Sequence, residues 1–262
     1  MILFPKCKVN IGLRVVEKRI DGYHNIESLF LDCDSPSDIL EIVESRELSF
    51  SIYGSKLDCL PQDNICIKAY NLLNSRFKMP GAEIHLYKKI PSGAGLGGGS
   101  SDGACTLILL NRLYNLRLDN DKLAFYASQL GSDCPFFIYA HNNRDSERNP
   151  MIVTGRGEIL EGIEIPQLKG YYVKIVTPEV FISTARAYAG VTPKKPKESI
   201  KEILKLPVDQ WREYLKNDFE SSIFDEFPTL ANHKEELYRS GAVYASMSGS
   251  GSSLFGLFKV KE

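Results

Sequence analysis

Several features are scarce in this 262-residue chain. Net charge is nearly absent: 32 Lys and Arg against 33 Asp and Glu leave −1 at pH 7, which gives no electrostatic case for nucleic acid or an anionic membrane. No run approaches the roughly 18 apolar residues of a membrane span, and the opening Met1-Ile-Leu-Phe-Pro-Lys6 is too short an apolar run for a signal peptide. The six cysteines (Cys7, Cys33, Cys59, Cys66, Cys105, Cys134) lack metal-ligand spacing. They read as reduced packing residues of a cytoplasmic protein. No internal repeat is present. What remains is 43% hydrophobic and 25% charged, an ordinary globular composition with length enough for one large domain or two modest ones.

One stretch is abundant in a single residue. Residues 91–103 read Pro-Ser-Gly-Ala-Gly-Leu-Gly-Gly-Gly-Ser-Ser-Asp-Gly, with five glycines between Gly93 and Gly99. Such a backbone can turn through positive φ and bring its N–H groups against an anion. An extended apolar segment, Ala82–Ile90, precedes it. A helical pattern follows, with Ala104, Leu107, Ile108, Leu110 and Leu113 on one face. Ser100, Ser101 and Asp102 are all N-cap types, so the helix is expected to start among them. Strand, glycine loop and helix N-terminus together make a phosphate cradle, since free amides and the helix dipole both favour negative charge. A P-loop is excluded, because Ser100 follows Gly99 with no lysine. Gly93, Gly95 and Gly98 match a dinucleotide fingerprint literally, but the polar turn and second helix-like stretch that follow do not supply its βαβ context.

A proline before Gly-Leu-Gly, with Ser-Ser close behind, resembles the ATP loop of the GHMP kinases. The form Gly95-Leu-Gly-Gly-Gly-Ser-Ser101 is similar to the branch that acts on a CDP-linked sugar alcohol. Four further segments agree in order: Pro5-Lys-Cys-Lys-Val-Asn-Ile-Gly-Leu13, Asp21-Gly-Tyr-His24, Gly131-Ser-Asp-Cys-Pro-Phe-Phe137 and Ser246-Met-Ser-Gly-Ser-Gly-Ser-Ser253. Asp63-Asn64, Gly155-Arg-Gly-Glu158 and Asn217-Asp-Phe-Glu220 are smaller echoes. The resemblance implies ATP-dependent phosphorylation of CDP-methylerythritol in the non-mevalonate route to isoprenoids. Another small-molecule kinase of the family and a non-catalytic nucleotide sensor are the alternatives. Partners would be ATP and this small molecule alone, with a monomer or weak homodimer expected.

Site residues follow from the same resemblance. Asp133 would take the proton of the acceptor hydroxyl, with Lys8 beside it; Lys6 is a rival for the lysine, because it stands where proline is usual. Pro91, Gly93, Gly95, Leu96, Gly97, Gly98, Gly99, Ser100 and Ser101 would hold the ATP phosphates, with Lys88 and Asn64 on the adenine side. Tyr23 and His24 would receive the cytosine, with Tyr188 as second aromatic wall and Phe181 as its rival. Asn10, Thr184, Ser248 and Gly249 would also meet the substrate. Mg²⁺ is expected with ATP. Its protein ligand is not identified, because Gly98 and Gly99 stand where the wider family places serines.

Strand-like runs at 9–16, 27–33, 39–43 and 48–53 suggest an opening antiparallel sheet. Helices are expected at 64–77, 122–130 and about 198–216, and a hairpin-like pair at 242–247 and 254–260. The polar stretch 141–150 is the best candidate for a linker. Irregular clustering of strands and helices argues α+β. The resemblance implies a two-lobed GHMP kinase fold: a ribosomal-S5-domain-2-like N-terminal lobe over 1–150 and a ferredoxin-like C-terminal lobe over 151–262, with the site between them.

Overall fold

The structure is a computed structural model that describes residues 1–55, 60–142 and 150–260. Cys59 and most of the expected linker (143–149) lie outside the described residues. In chain order the elements are β1 (Ile2–Leu3), β2 (Lys6–Lys18), β3 (His24–Ser37), β4 (Ile39–Ser45), β5 (Ser49–Gly54), α1 (Ile65–Phe77), β6 (Gly81–Lys88), α2 (Gly98–Leu113), α3 (Asn120–Ala127), α4 (Cys134–Asn142), β7 (Met151–Thr154), β8 (Ile159–Gly162), β9 (Tyr171–Val176), α5 (Thr184–Ala189), α6 (Ile200–Leu204), α7 (Trp211–Tyr214), α8 (Glu220–Glu226), α9 (Pro228–Arg239), β10 (Tyr244–Met247) and β11 (Leu254–Lys259).

The chain forms two compact units that interleave along the sequence. The first comprises Met1–Lys8, Asp32–Ser92 and Gly97–Asn149; the second comprises Val9–Leu31, Gly93–Leu96 and Pro150–Glu262. The second unit takes in the chain from Pro150 onward. Of its two earlier segments, Val9–Leu31 joins because β2 and β3 pair with β7 and β8 in a β2-β3-β7-β8 sheet, and Gly93–Leu96 joins through hydrogen bonds from Ser248 and Ser253.

In the first unit the sheet runs β1-β4-β6-β5, with β4 antiparallel to β6 and β5 parallel to it. The opening strands are therefore divided between two sheets instead of forming one antiparallel sheet. Along β6, Ala82, Ile84, Leu86 and Lys88 are buried in strict alternation, as one covered face requires. Lys88 thus enters the core by register. Helix α2 packs on α1 and α4, and every residue from Ser101 to Leu110 is buried.

The second unit carries the sheet order β10-β11-β9, with β10 and β11 antiparallel as the expected hairpin pair. Its core gathers Leu13, Val15, Ile182, Phe219, Leu230, Met247 and Leu254. The helix expected over 198–216 is broken into α6 and α7, with Pro207 and a short 3₁₀ turn between them, since proline disfavours helical backbone in the residue before it. Trp211, the single tryptophan of the chain, is fully buried. Its indole N–H donates to the Leu206 carbonyl at 2.9 Å, and its ring meets Tyr244 edge-on.

Candidate active site

Within the first unit, the end of the glycine loop is built around Gly97. It adopts φ 71° as the N-cap of α2 and offers no side-chain cap. With its N-cap three residues before Ser100, the helix starts at Gly98, ahead of the serines and Asp102, because a glycine in the left-handed region can turn the chain directly into it. With no capping side chain, the first amides of α2 are left for another acceptor. A Cβ on Gly97 would lie 3.0 Å from the Phe137 ring and 3.1 Å from Cγ of Lys8. Glycine is needed twice here, for its φ and for this close approach.

Lys8 is buried at 3% exposure, and its ammonium lies 3.5 Å from Oδ2 of Asp133, whose side chain stays a quarter exposed. Burial pushes the Lys8 pKa down, more than the Asp133 carboxylate and the neighbouring Cys7 raise it. Asp133 sits one residue before α4. A Cβ on nearby Gly131 would be 3.9 Å from Oγ of Ser100, so Lys8, Gly97, Ser100 and Asp133 gather at the start of α2. Lys6 is engaged elsewhere: its ammonium lies 3.0 Å from Asp32 and 2.8 Å from Asp34. Burial lowers its pKa, but these two carboxylates outweigh burial and the net direction is up.

Two residues expected on the adenine side face inward. Oδ1 of Asn64 caps α1, accepting the Cys66 N–H at 2.9 Å, and the residue is 4% exposed. The Lys88 ammonium is buried against Asp38 (2.5 Å) and Asp102 (2.8 Å). Neither Asp38 nor Asp102 was expected at the site. Asp102 was visible only as a cap type, and nothing in the sequence marked Asp38.

The second unit holds the aromatic residues. Tyr23 is 57% exposed, with the Arg156 guanidinium 5.0 Å from its ring centroid, a cation–π arrangement. His24 stacks on Tyr188 with centroids 4.7 Å apart and planes 17° from parallel, and Tyr188 rests edge-on against Phe219. Burial, then Lys18, lowers the His24 pKa, which keeps the ring neutral near pH 7. Phe181 is largely exposed and lies over Gly93, where a Cβ would come within 2.9 Å of its ring. Thr184 Oγ1 is 3.4 Å from Ser250 Oγ. Arg156 went unassigned at the sequence level, although it stands in the Gly155–Glu158 echo.

The second glycine-rich loop backs part of the first within this unit. Ser248 Oγ donates to the Gly95 carbonyl at 2.9 Å, and a Cβ on Gly95 would fall 2.0 Å from the Ser248 carbonyl oxygen. Asn10 is fully buried and bonds Ser28 at 3.2 Å and Ser248 at 3.4 Å. Asn217 donates to the carbonyls of Met247 and Gly249, both at 2.8 Å. These polar groups of Asn10, Ser248 and Gly249 are thus bonded within the protein.

Among the described residues, no group of three or more His, Cys, Asp or Glu could hold a metal ion, and no helix is long and apolar enough to cross a membrane. The uncapped amides of α2, with Lys8 close by, suit a polyphosphate; a divalent ion would rest chiefly on that polyphosphate.

Comparison with known proteins agrees with this layout. The family profile described as GHMP kinases N terminal domain matches residues 64–141, and that described as GHMP kinases C terminal matches 199–262. The chain is 50% identical to the 4-diphosphocytidyl-2-C-methyl-D-erythritol kinase of Bacteroides thetaiotaomicron, over 99% of this chain and 92% of that protein. It is 48% identical to the enzyme of the same name from Parabacteroides distasonis, with the same coverage. A crystal structure of 4-(cytidine 5'-diphospho)-2C-methyl-D-erythritol kinase superposes with a TM-score of 0.81 at 31% identity, covering 98% of this chain and 90% of that one. A mevalonate kinase structure shares the fold at a TM-score of 0.70 and 16% identity. The chain therefore belongs to the GHMP kinase family and, within it, to the branch of the 4-diphosphocytidyl-2-C-methyl-D-erythritol kinases.

Proposed function

We propose that this chain transfers the γ-phosphoryl group of ATP to the 2-hydroxyl of 4-diphosphocytidyl-2-C-methyl-D-erythritol, releasing ADP and the 2-phosphate, as a cytoplasmic enzyme of isoprenoid biosynthesis. The observation that supports it most is the pairing of Lys8 with Asp133 at 3.5 Å, with the stem of Lys8 against the N-cap glycine of α2.

Phosphoryl transfer needs positioning and charge neutralisation more than covalent work. In this reading the amides from Gly97 to Ser100 donate to phosphate oxygens, aided by the dipole of α2, while the Ser101 N–H is engaged by the Gly97 carbonyl. The Asp133 carboxylate accepts the proton of the attacking hydroxyl late in the transfer. The Lys8 ammonium stabilises charge on the moving group, in surroundings where an ammonium acts strongly because little water screens it. A Mg²⁺ ion bound with the nucleotide would neutralise phosphate charge. In the second unit, Tyr23 and Tyr188 stack on the cytosine, and neutral His24 hydrogen-bonds its edge. Asn10, Ser248 and Gly249 support this arrangement through the loop that they brace. Asn64 supports it through the cap of α1.

A coupled ADP-release assay tests the reading, with 4-diphosphocytidyl-2-C-methyl-D-erythritol, homoserine, galactose and mevalonate offered in parallel. Turnover confined to the first is expected. Preference for mevalonate or a free sugar would overturn the substrate assignment, and nucleotide binding without turnover of any of the four would leave a sensor.

A further inference from the structure

The proposed reaction uses one carboxylate, yet two more lie buried beneath the glycine loop with a lysine between them. Asp38 stands one residue before β4, Lys88 ends β6 and Asp102 lies in the second turn of α2, and all three are buried. The Lys88 ammonium bonds Oδ2 of Asp38 and Oδ2 of Asp102. The other oxygen of Asp38 accepts the backbone N–H groups of Lys89 at 2.5 Å and Ile90 at 2.8 Å. Those two residues lead directly into Pro91, where the loop begins. Asp102 stands just past its end. A Cβ on Gly98, the first residue of α2, would lie 3.3 Å from the Lys88 ammonium.

A plain ion-pair role in stability accounts poorly for this choice of residues. Burying two carboxylates and an ammonium costs several kcal/mol per ion before their attraction is counted, and well-packed apolar residues often hold such a place as well or better. The arrangement also leaves a cost unrelieved: Oδ1 of Asp102 is buried without a hydrogen-bond partner. What the triad does supply is a tether. One ammonium links the amides at the loop's entry, through Asp38, to the helix at its exit, through Asp102. It also places positive charge immediately behind the first residue of α2.

We propose that Lys88, Asp38 and Asp102 are positioning residues that hold the two ends of the anion loop in register, so that the amides at the start of α2 are pre-set for the nucleotide's phosphates. The proposal deepens the functional reading above and rests on it. Lys88 acts here through the backbone and never touches ATP. Pre-setting donors before a ligand arrives strengthens binding without adding a contact.

The test compares the full-length wild type with Lys88→Met and with the triple variant Asp38→Asn/Lys88→Met/Asp102→Asn. The triple variant leaves no unpaired charge in the core, so it keeps the experiment usable if the single variant fails to fold. ATP binding is read by titration calorimetry, KM is measured for both substrates, and amide hydrogen exchange is followed over 97–101. ATP affinity should fall about 10- to 100-fold, KM for the diphosphocytidyl alcohol should stay within about twofold, and exchange at the loop amides should quicken. ATP affinity within about threefold of wild type in the folded triple variant would overturn the proposal, as would an equal rise in both KM values. A wild type that binds ATP but phosphorylates no diphosphocytidyl alcohol would sink the functional reading alone, while the ATP titrations would still decide the tether.

Discussion

Two lysines of the first unit, each 3% exposed, are treated in opposite ways. Lys8 meets the Asp133 carboxylate at 3.5 Å, and burial wins: its pKa is lowered. Lys88 is held by two carboxylates at 2.5 and 2.8 Å, and although burial is again the largest single influence, Asp102 and Asp38 together outweigh it and its pKa is raised. The first ammonium is under-compensated, a state that folding tolerates and an arriving anion would relieve. The second is fully engaged with the protein. A buried lysine that the protein leaves poorly neutralised is suited to act on a ligand, and one that it neutralises in full is suited to hold structure.

The comparison can be broken most sharply through activity. Asp133→Asn should lower kcat about 10²- to 10⁴-fold with ATP affinity retained. Lys8→Met should lower kcat by about 10²- to 10³-fold. Steady-state kinetics beside ATP titration would check both, and near-normal turnover in either variant would remove that residue from the chemistry.

Stability should separate the lysines in the other direction. Lys88→Met strands two buried carboxylates and should cost about 3–5 kcal/mol, whereas Lys8→Met removes a poorly compensated buried charge and should leave thermal stability unchanged or raised. Denaturant unfolding of the two variants tests this, and equal losses would erase the difference between the two lysines.

Alkaline titration sharpens it further. The folded pKa of Lys8 is below the ordinary lysine value of 10.5, so this group's contribution to stability rises with pH from the lowered value up to 10.5, while kcat/KM for ATP, which reports the free enzyme, should fall over the same window as the ammonium is lost. The folded pKa of Lys88 is above 10.5, so its contribution is fully present below 10.5 and is lost only as pH climbs through the raised value. A profile of kcat/KM for ATP flat to pH 10.5 would contradict the Lys8 half of this pair. The smallest effect belongs to Lys6, whose partly exposed pairing with Asp32 and Asp34 should make Lys6→Met change stability by about 1 kcal/mol or less. Its kcat should stay near wild type, and a kinetic loss matching that of Lys8→Met would make Lys6 the working lysine.

Local patterns in the sequence proved readable, and long-range pairings did not. The glycine loop, the strand before it and the helix after it follow from composition and periodicity over a few residues. The helix start was displaced because glycine in the left-handed region at position 97 can begin a helix without any cap side chain, which a search for Ser or Asp does not weigh. Asn64 is readable as a helix cap by the same rule, and it fills that role. The inward placement of Lys88 escapes the sequence for a different reason. Whether a strand-end lysine points to ligand or core depends on Asp38, fifty residues earlier, and no periodicity links the two. The division into units was hidden likewise, since β2 and β3 join the second unit through β7 and β8, more than a hundred residues on.

Trp211 lies wholly within the second unit and is packed away from water. Its fluorescence is therefore a resident reporter on that unit alone, and no label is needed. Heating should shift its emission to the red when the second unit opens, while circular dichroism follows the helices of both. For a variant altered only at Lys88, coincident curves would mean that the units melt as one body, and separated curves would time them individually.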